Sequence, residues 1–184
     1  MDALTLLMSQ HEEVNALFEE LEDTDDEDDK LALFTELSNS FAAHAAIEEK
    51  IFYPAAYANA TAGLLGEALE EHMAAKRTIA ELLTMSPGDE QFDAKVKILK
   101  QQIEHHVEEE EGKLFPRVKK ELEAKELEAL GAELEEMFEA ELEKGPGDEG
   151  DEVTTEFKAP PAKAKGAKPE PKGPKRGKRQ PARQ

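Results

Sequence analysis

Apolar residues recur along this chain at the three- and four-residue spacing of one helix face, in four successive segments. The first stripe is Leu4, Leu7, His11, Val14, Phe18 and Leu21, and the second is Leu33, Leu37, Phe41, His44, Glu48 and Ile51. The third is Leu65, Leu69, His72, Lys76, Ile79 and Leu83; the fourth is Phe92, Val96, Leu99, Ile103, His106, Glu110 and Leu114. Turn signals separate them: the acidic run Asp23 to Asp29, the small-residue stretch Asn59 to Gly63, and Ser86-Pro87-Gly88-Asp89. Short connections between long helices favour antiparallel neighbours, so the pattern predicts an all-α protein, an up-down-up-down antiparallel four-helix bundle. A fifth helix is expected over about Lys125 to Lys144, where Leu127, Leu130, Leu134, Met137 and Phe138 form an apolar stripe that caps the bundle. Pro54 and Pro116 are expected to bend or end their helices.

Every stripe carries a histidine where a leucine would be expected. The second and fourth share a longer motif: His44-x-x-x-Glu48-Glu49 followed by Tyr53-Pro54, and His106-x-x-x-Glu110-Glu111 followed by Phe115-Pro116. The two copies lie 62 residues apart, and His11 and His72 precede them by 33 and 34 residues, so the chain reads as two similar halves. In a helix, residues four apart are stacked about 6 Å along the axis on one face, so each His-Glu pair points at one inward position. Antiparallel packing would bring all four histidines to a similar depth. A lone histidine on such a stripe is usually a hydrogen-bonded core residue. Four in register, with two carboxylates, are harder to satisfy that way, because an unpaired buried charge is costly and Lys76 is the one counter-cation on the stripes. A bound cation resolves the conflict. Imidazole with carboxylate suits Zn, Mn, Fe, Ni or Cu, and the absence of cysteine removes thiolate sites. The expected metal-ligating residues are His11, His44, Glu48, His72, His106 and Glu110, with the glutamates able to bridge two ions.

Neighbouring polar residues receive simpler readings. His105 lies about 100° round the helix from His106 and is expected to face a neighbouring helix or solvent. Glu49, Glu109 and Glu111 are read as solvated, with one available as a spare ligand. Tyr53, nine residues beyond His44, falls on the opposite face of a regular helix, so its pairing with Phe115 suggests packing rather than redox work. The Asp23 to Asp29 run lacks the glycine and closing glutamate of a calcium-binding EF-hand loop and reads as a solvated connection that caps a helix start.

Charge divides the chain into two materials. Of the net −20, the segment from Lys158 onward contributes +9, with ten basic residues against Glu170, and the first 157 residues carry −29. Residues 145–184 are rich in Pro, Gly, Lys and Ala and nearly free of large apolar groups, which predicts a disordered basic tail. The expected organisation is thus a bundle over 1–122, an additional helix over 123–144 and a tail over 145–184. With no aromatic residue interleaved among its charges, the tail suits sequence-independent, salt-sensitive contact with nucleic acid or another anionic surface. The other reading is a solubilising segment lying loosely on the acidic body. The start Met1-Asp2-Ala3-Leu4 lacks secretory-signal features, and no stretch approaches the roughly 20 apolar residues of a membrane span. With no cysteine, these features predict a soluble cytoplasmic protein without disulfides.

The ordered set His11, His44-x-x-x-Glu48, His72, His106-x-x-x-Glu110, with Tyr-Pro and Phe-Pro after the two motifs, resembles the hemerythrin-like, HHE cation-binding domain over about residues 1–143. The resemblance implies two non-heme iron ions, one held by His11 and His44, the other by His72 and His106, with Glu48 and Glu110 bridging. Oxygen-carrying hemerythrins have a second histidine one turn after the third-helix histidine, where this chain has Lys76. That departure argues against reversible oxygen transport and leaves coordination for water, hydroxide, dioxygen, peroxide or nitric oxide. Lys76 would either point outward along its stem or place its ammonium beside the site. The expected function is a di-iron protein that binds or senses dioxygen, nitric oxide or iron. The alternatives are a peroxide-consuming di-iron oxidoreductase and a metal-free helical adaptor acting through the tail.

Overall fold

In the computed structural model the described residues are 1–58 and 60–144, so the expected basic tail lies outside them. Helix α1 spans Ala3–Asp23 and starts at Asp2, whose Oδ1 accepts from the backbone N–H groups of Leu4 and Thr5 at 3.1 Å each. Helix α2 spans Glu27–Ile47, and Asp26 Oδ1 accepts from the N–H groups of Asp28 and Asp29 at 3.0 and 3.1 Å. The acidic run is therefore a helix start, with three acids in the first turn complementing the positive end of the helix dipole.

Helix α2 does not end at its motif. It widens into a five-residue π turn, Glu48–Phe52, and resumes as α3, Tyr53–Ala56. Helix α4 spans Ala62–Leu82 and α5 spans Phe92–Glu109. The same event follows α5: a π turn over Glu110–Leu114 leads into α6, Phe115–Glu121. Each π turn precedes a proline in the first turn of the resumed helix, where a missing N–H and a ring are tolerated. Pro54 and Pro116 thus do not end their helices; the wider turn accommodates them. Helix α7, Ala124–Lys144, packs against α1, α2 and the first π turn.

Among the described residues the chain is all-helical, with α1, α2–α3, α4 and α5–α6 forming the antiparallel bundle and α7 as the fifth rod. None of these helices is long and apolar enough to cross a membrane. The core falls into two apolar clusters. One gathers Leu4, Leu7, Ile47, Phe52, Tyr53, Leu65 and Phe115 with Leu127, Leu130 and Leu134 of α7. The other gathers Val14, Phe18, Phe34, Phe41, Ile79, Phe92 and Leu99. On each bundle helix the stripe histidine falls near the boundary between its contributions to the two clusters, as His11 does between Leu7 and Val14. The histidines therefore form a polar layer with an apolar plug on either side.

Gly131 lets α7 dock. A Cβ built there would lie 2.3 Å from the carbonyl oxygen of Met1 and 2.9 Å from backbone atoms of Asp2 and Ala3. Helix propensity alone favours alanine by roughly 0.5–1 kcal/mol. Overpacking against backbone that cannot swing aside costs about 1–3 kcal/mol and should prevail. Gly131→Ala is accordingly expected to lower the melting temperature by a few degrees, at about 2–4 °C per kcal/mol. A thermal melt in which the variant gains stability would contradict the close docking of α7.

Candidate metal centre

All six expected residues meet in the polar layer. His11, His44, Glu48, His72, His106 and Glu110 are each buried, with at most 7% of their surface exposed. The imidazoles turn their Nε2 atoms inward: those of His11 and His44 are 3.2 Å apart, and those of His72 and His106 are 3.1 Å apart. Glu48 Oε2 lies 3.2 Å from both His44 Nε2 and His72 Nε2. Glu110 Oε2 lies 3.7 Å from the Nε2 atoms of His11 and His106. These atoms fall into two donor groups, each spanning no more than 4.8 Å. The first is His11, His44, Glu48 and Glu110, and the second is Glu48, His72 and His106, so Glu48 is common to both.

The outward nitrogen of every histidine is also tied to a side chain. Nδ1 of His11 meets Glu111 at 2.8 Å, that of His44 meets Gln10 Oε1 at 2.8 Å, that of His72 meets Glu49 at 2.8 Å, and that of His106 meets Glu71 at 3.0 Å. An acceptor at Nδ1 holds that nitrogen's proton outward, so a neutral ring aims its Nε2 lone pair at the centre. Glu49 and Glu111 are therefore not simply solvated as expected: both are half-buried and orient His72 and His11. Gln10 and Glu71 escape a reading of stripes because they lie off them. Their signal is adjacency, since each immediately precedes a stripe histidine, just as Glu49 and Glu111 immediately follow a stripe glutamate. Glu109 instead accepts from Lys113. His105 is exposed, as its position predicts, with Nε2 3.5 Å from Glu71. Lys76 turns away from the centre, and its Nζ donates to both oxygens of Glu49 at 2.8 and 3.0 Å.

Tyr53 departs most from expectation. A π turn takes up one more residue than an α turn, rotating everything beyond it by about 100° relative to an unbroken helix. Tyr53 consequently comes round to the face of His44 and Glu48 rather than opposing it. It is fully buried, its hydroxyl donates to Glu110 Oε1 at 3.0 Å, and it lies 3.2 Å from Glu48 Oε2 and 3.4 Å from His72 Nε2. Its ring stacks on His72, as Phe115 stacks on His11 in the other half. The two halves thus match in aromatic packing, Tyr53 differing from Phe115 by a hydroxyl at the centre.

Electrostatics in this layer pull in opposite directions. Burial and the charge of Glu48 push Glu110 well above the ordinary carboxylate range. Glu48 is also opposed by burial, yet the charge of His44 and hydrogen bonds from His106, His44 and His72 hold it well below that range. Burial and the neighbouring His44 lower His11 to about 3, which keeps it neutral, the form that ligates a metal. Burial works the same way on His106, but Glu110, Glu48 and Glu71 raise it to about 10. Burial and the charge of Glu110 raise Tyr53 well above 10, so it keeps its proton. Glu48 Oε1 and Glu110 Oε2 are buried without a hydrogen-bond partner. Four converging imidazole nitrogens and two partnerless carboxyl oxygens form a donor set in which the proton held on His106 supplies positive charge that a bound cation would replace. The donor set therefore fits a metal bound by nitrogen and oxygen.

Access is narrow. A cleft of about 10 Å³, lined by Leu64, Glu67, Ala68, Glu71, Glu109, Glu110 and Leu114, reaches the buried carboxylate of Glu110. That volume suits about one water molecule.

Comparison with known proteins agrees with this geometry. The chain matches the hemerythrin HHE cation binding domain over residues 2–118. It is 26% identical to a hemerythrin HHE cation binding domain-containing protein from Mycobacterium kansasii, whose crystal structure superposes with a TM-score of 0.70 over 78% of this chain and 89% of that one. A DNA nickase from Nostoc sp. strain PCC 7120 is 27% identical over 133 residues, which is 72% of this chain and 38% of the nickase. The chain thus spans well under half the length of that relative.

Proposed function

The chain belongs to the hemerythrin HHE cation-binding domain family, and from that membership we propose that it is a non-heme di-iron protein that binds or senses dioxygen, nitric oxide or iron itself. In this reading His11 and His44 hold one ion, His72 and His106 hold the other, and Glu48 and Glu110 bridge them. The observation that carries it is the convergence of four inward Nε2 atoms and two partnerless carboxylate oxygens in a buried layer, with a water-sized cleft reaching Glu110. Bound iron would supply electron exchange and open coordination for a small ligand. The protein's own residues decide which ligands arrive. Glu67, Glu71 and Glu109 make the cleft acidic, so it favours neutral molecules and cations over anions, and the apolar plugs on either side limit water. Sequence-independent contact with nucleic acid or another anionic surface is assigned to the basic residues beyond Lys158, whose charge opposes that of the body.

One observation favours a second reading, a peroxide-consuming oxidoreductase. Tyr53 places a buried O–H donor 3.0 Å from Glu110 and 3.2 Å from Glu48, where it could hold or deliver a proton during turnover. Protein expressed with ample iron is expected to contain about two irons per chain, as two His-pair positions with shared carboxylates require. Oxidised protein should show a visible charge-transfer band that nitric oxide or dioxygen alters. One zinc and no iron under those conditions would refute the di-iron reading. Steady consumption of peroxide, lowered in Tyr53→Phe at unchanged iron content, would select the oxidoreductase.

A further inference from the structure

The two halves of the centre differ in what holds the outward nitrogen of one histidine. Gln10 precedes His11 and bonds to His44; Glu71 precedes His72 and bonds to His106. The places are equivalent, yet one offers a neutral amide oxygen and the other a carboxylate. Gln10 is 4% exposed, and its Nε2 has no hydrogen-bond partner, so neither solvent nor a second contact makes up for the missing charge. His11 and His72 have carboxylate partners, Glu111 and Glu49. Thus both histidines of the second pair are backed by carboxylates, and only one of the first pair is.

A carboxylate accepting from Nδ1–H makes a charge-assisted bond, raises the basicity of the opposite nitrogen and strengthens its bond to a metal. An amide oxygen does this less. Resting on the di-metal reading above, we propose that the two cation positions are unequal, and that the Gln10–Glu71 difference makes a divalent cation fill the His72–His106 position first and the His11–His44 position second. The number of donors does not decide the order. Glu110 falls in the donor group of the first pair alone, but its Oε2 is also 3.7 Å from His106 Nε2, and as the bridge proposed above it would give two imidazoles and two carboxylates to each position. Lys76 partly neutralises Glu49, which moderates the pull on His72. Glu71 has no lysine or arginine partner among the described residues, the exposed His105 lying 3.5 Å from it, so the pull on His106 persists. Changes to residues that orient ligands typically alter affinity by about 10–100-fold, so a one-cation form should persist over a window of free cation of roughly that width. Occupancy of the second position would then report cation supply.

The test is titration of the metal-free full-length protein with Co²⁺, followed by calorimetry and by visible absorption. Wild type should bind two ions in steps separated by about 10–100-fold, the tighter step disappearing in His72→Ala and the weaker in His11→Ala. Gln10→Glu should tighten the weaker step by about tenfold or more and draw the two together, while Glu71→Gln should weaken the tighter step by a similar factor. The second variant decides the matter if the first does not fold. Two equal steps in wild type, a tighter step that depends on His11, or constants unmoved by both variants would overturn the proposed order. Failure to bind Co²⁺, or binding indifferent to loss of His11 and His72, would instead overturn the metal-centre reading itself.

Discussion

Chelating the cations from the purified protein is expected to lower its melting temperature by about 10–20 °C. A ligand that binds the native state alone stabilises it by about 4 kcal/mol when its free concentration is a thousand times Kd. The donor groups are assembled from four separate helices, so neither position exists in the unfolded chain. For a domain of this size each kcal/mol is worth roughly 2–4 °C, which gives about 10 °C for one ion and more for two. Stripped of its cations, the layer keeps two buried carboxylates, with an oxygen on each lacking a hydrogen-bond partner. His106 retains its proton up to about pH 10 in that state, so cation uptake must release it, and the stabilisation by metal should shrink as the pH falls. Calorimetric scans before chelation, after it and after metal is restored provide the check. An apo protein that melts with the holo protein would mean that hydrogen bonds alone satisfy the histidines.

The reach of the sequence follows the physics of each feature. Helices and their packing were legible because burial is periodic: the stripes from Leu4 to Leu21 and from Phe92 to Leu114 mark the faces that the two apolar clusters bury. The six converging residues were legible for the same reason, as polar substitutions at positions the period reserves for leucine. Tyr53 was misplaced because counting residues at 100° each assumes an unbroken α ladder, and the inserted residue of the π turn is a tertiary choice made beside Pro54. Gln10 and Glu71 were missed on other grounds. Each lies one residue, about 100°, from its neighbouring histidine, so it faces the next helix rather than the centre, and its partner is an imidazole on that helix. A stripe identifies what enters the core but not what reaches around it. The flexible stem of Lys76 left two directions open, and the bidentate contact with Glu49 selects the outward one.

Glu48→Ala is expected to strip both metals, whereas His72→Ala should mainly loosen the one that His72 shares with His106. The difference follows from position. Glu48 Oε2 is 3.2 Å from a histidine of each pair, and Glu48 alone belongs to both donor groups. If it bridges, its removal deletes a ligand from each ion at once and also leaves the Tyr53 hydroxyl facing a layer with half its carboxylate charge. Glu110→Ala should act in the same direction, and Glu48→Ala should be the more severe because Glu48 stands closer to both pairs. Losing a residue that merely orients a ligand costs about 10–100-fold in affinity, and losing a shared ligand should cost at least that at both positions. His72→Ala leaves His11, His44 and both glutamates in place, so about one ion should remain. Iron per chain and the visible spectrum, measured for Glu48→Ala, Glu110→Ala and His72→Ala under identical loading, separate a bridged pair from two independent sites. If either glutamate variant keeps both irons with an unchanged spectrum, that residue does not bridge.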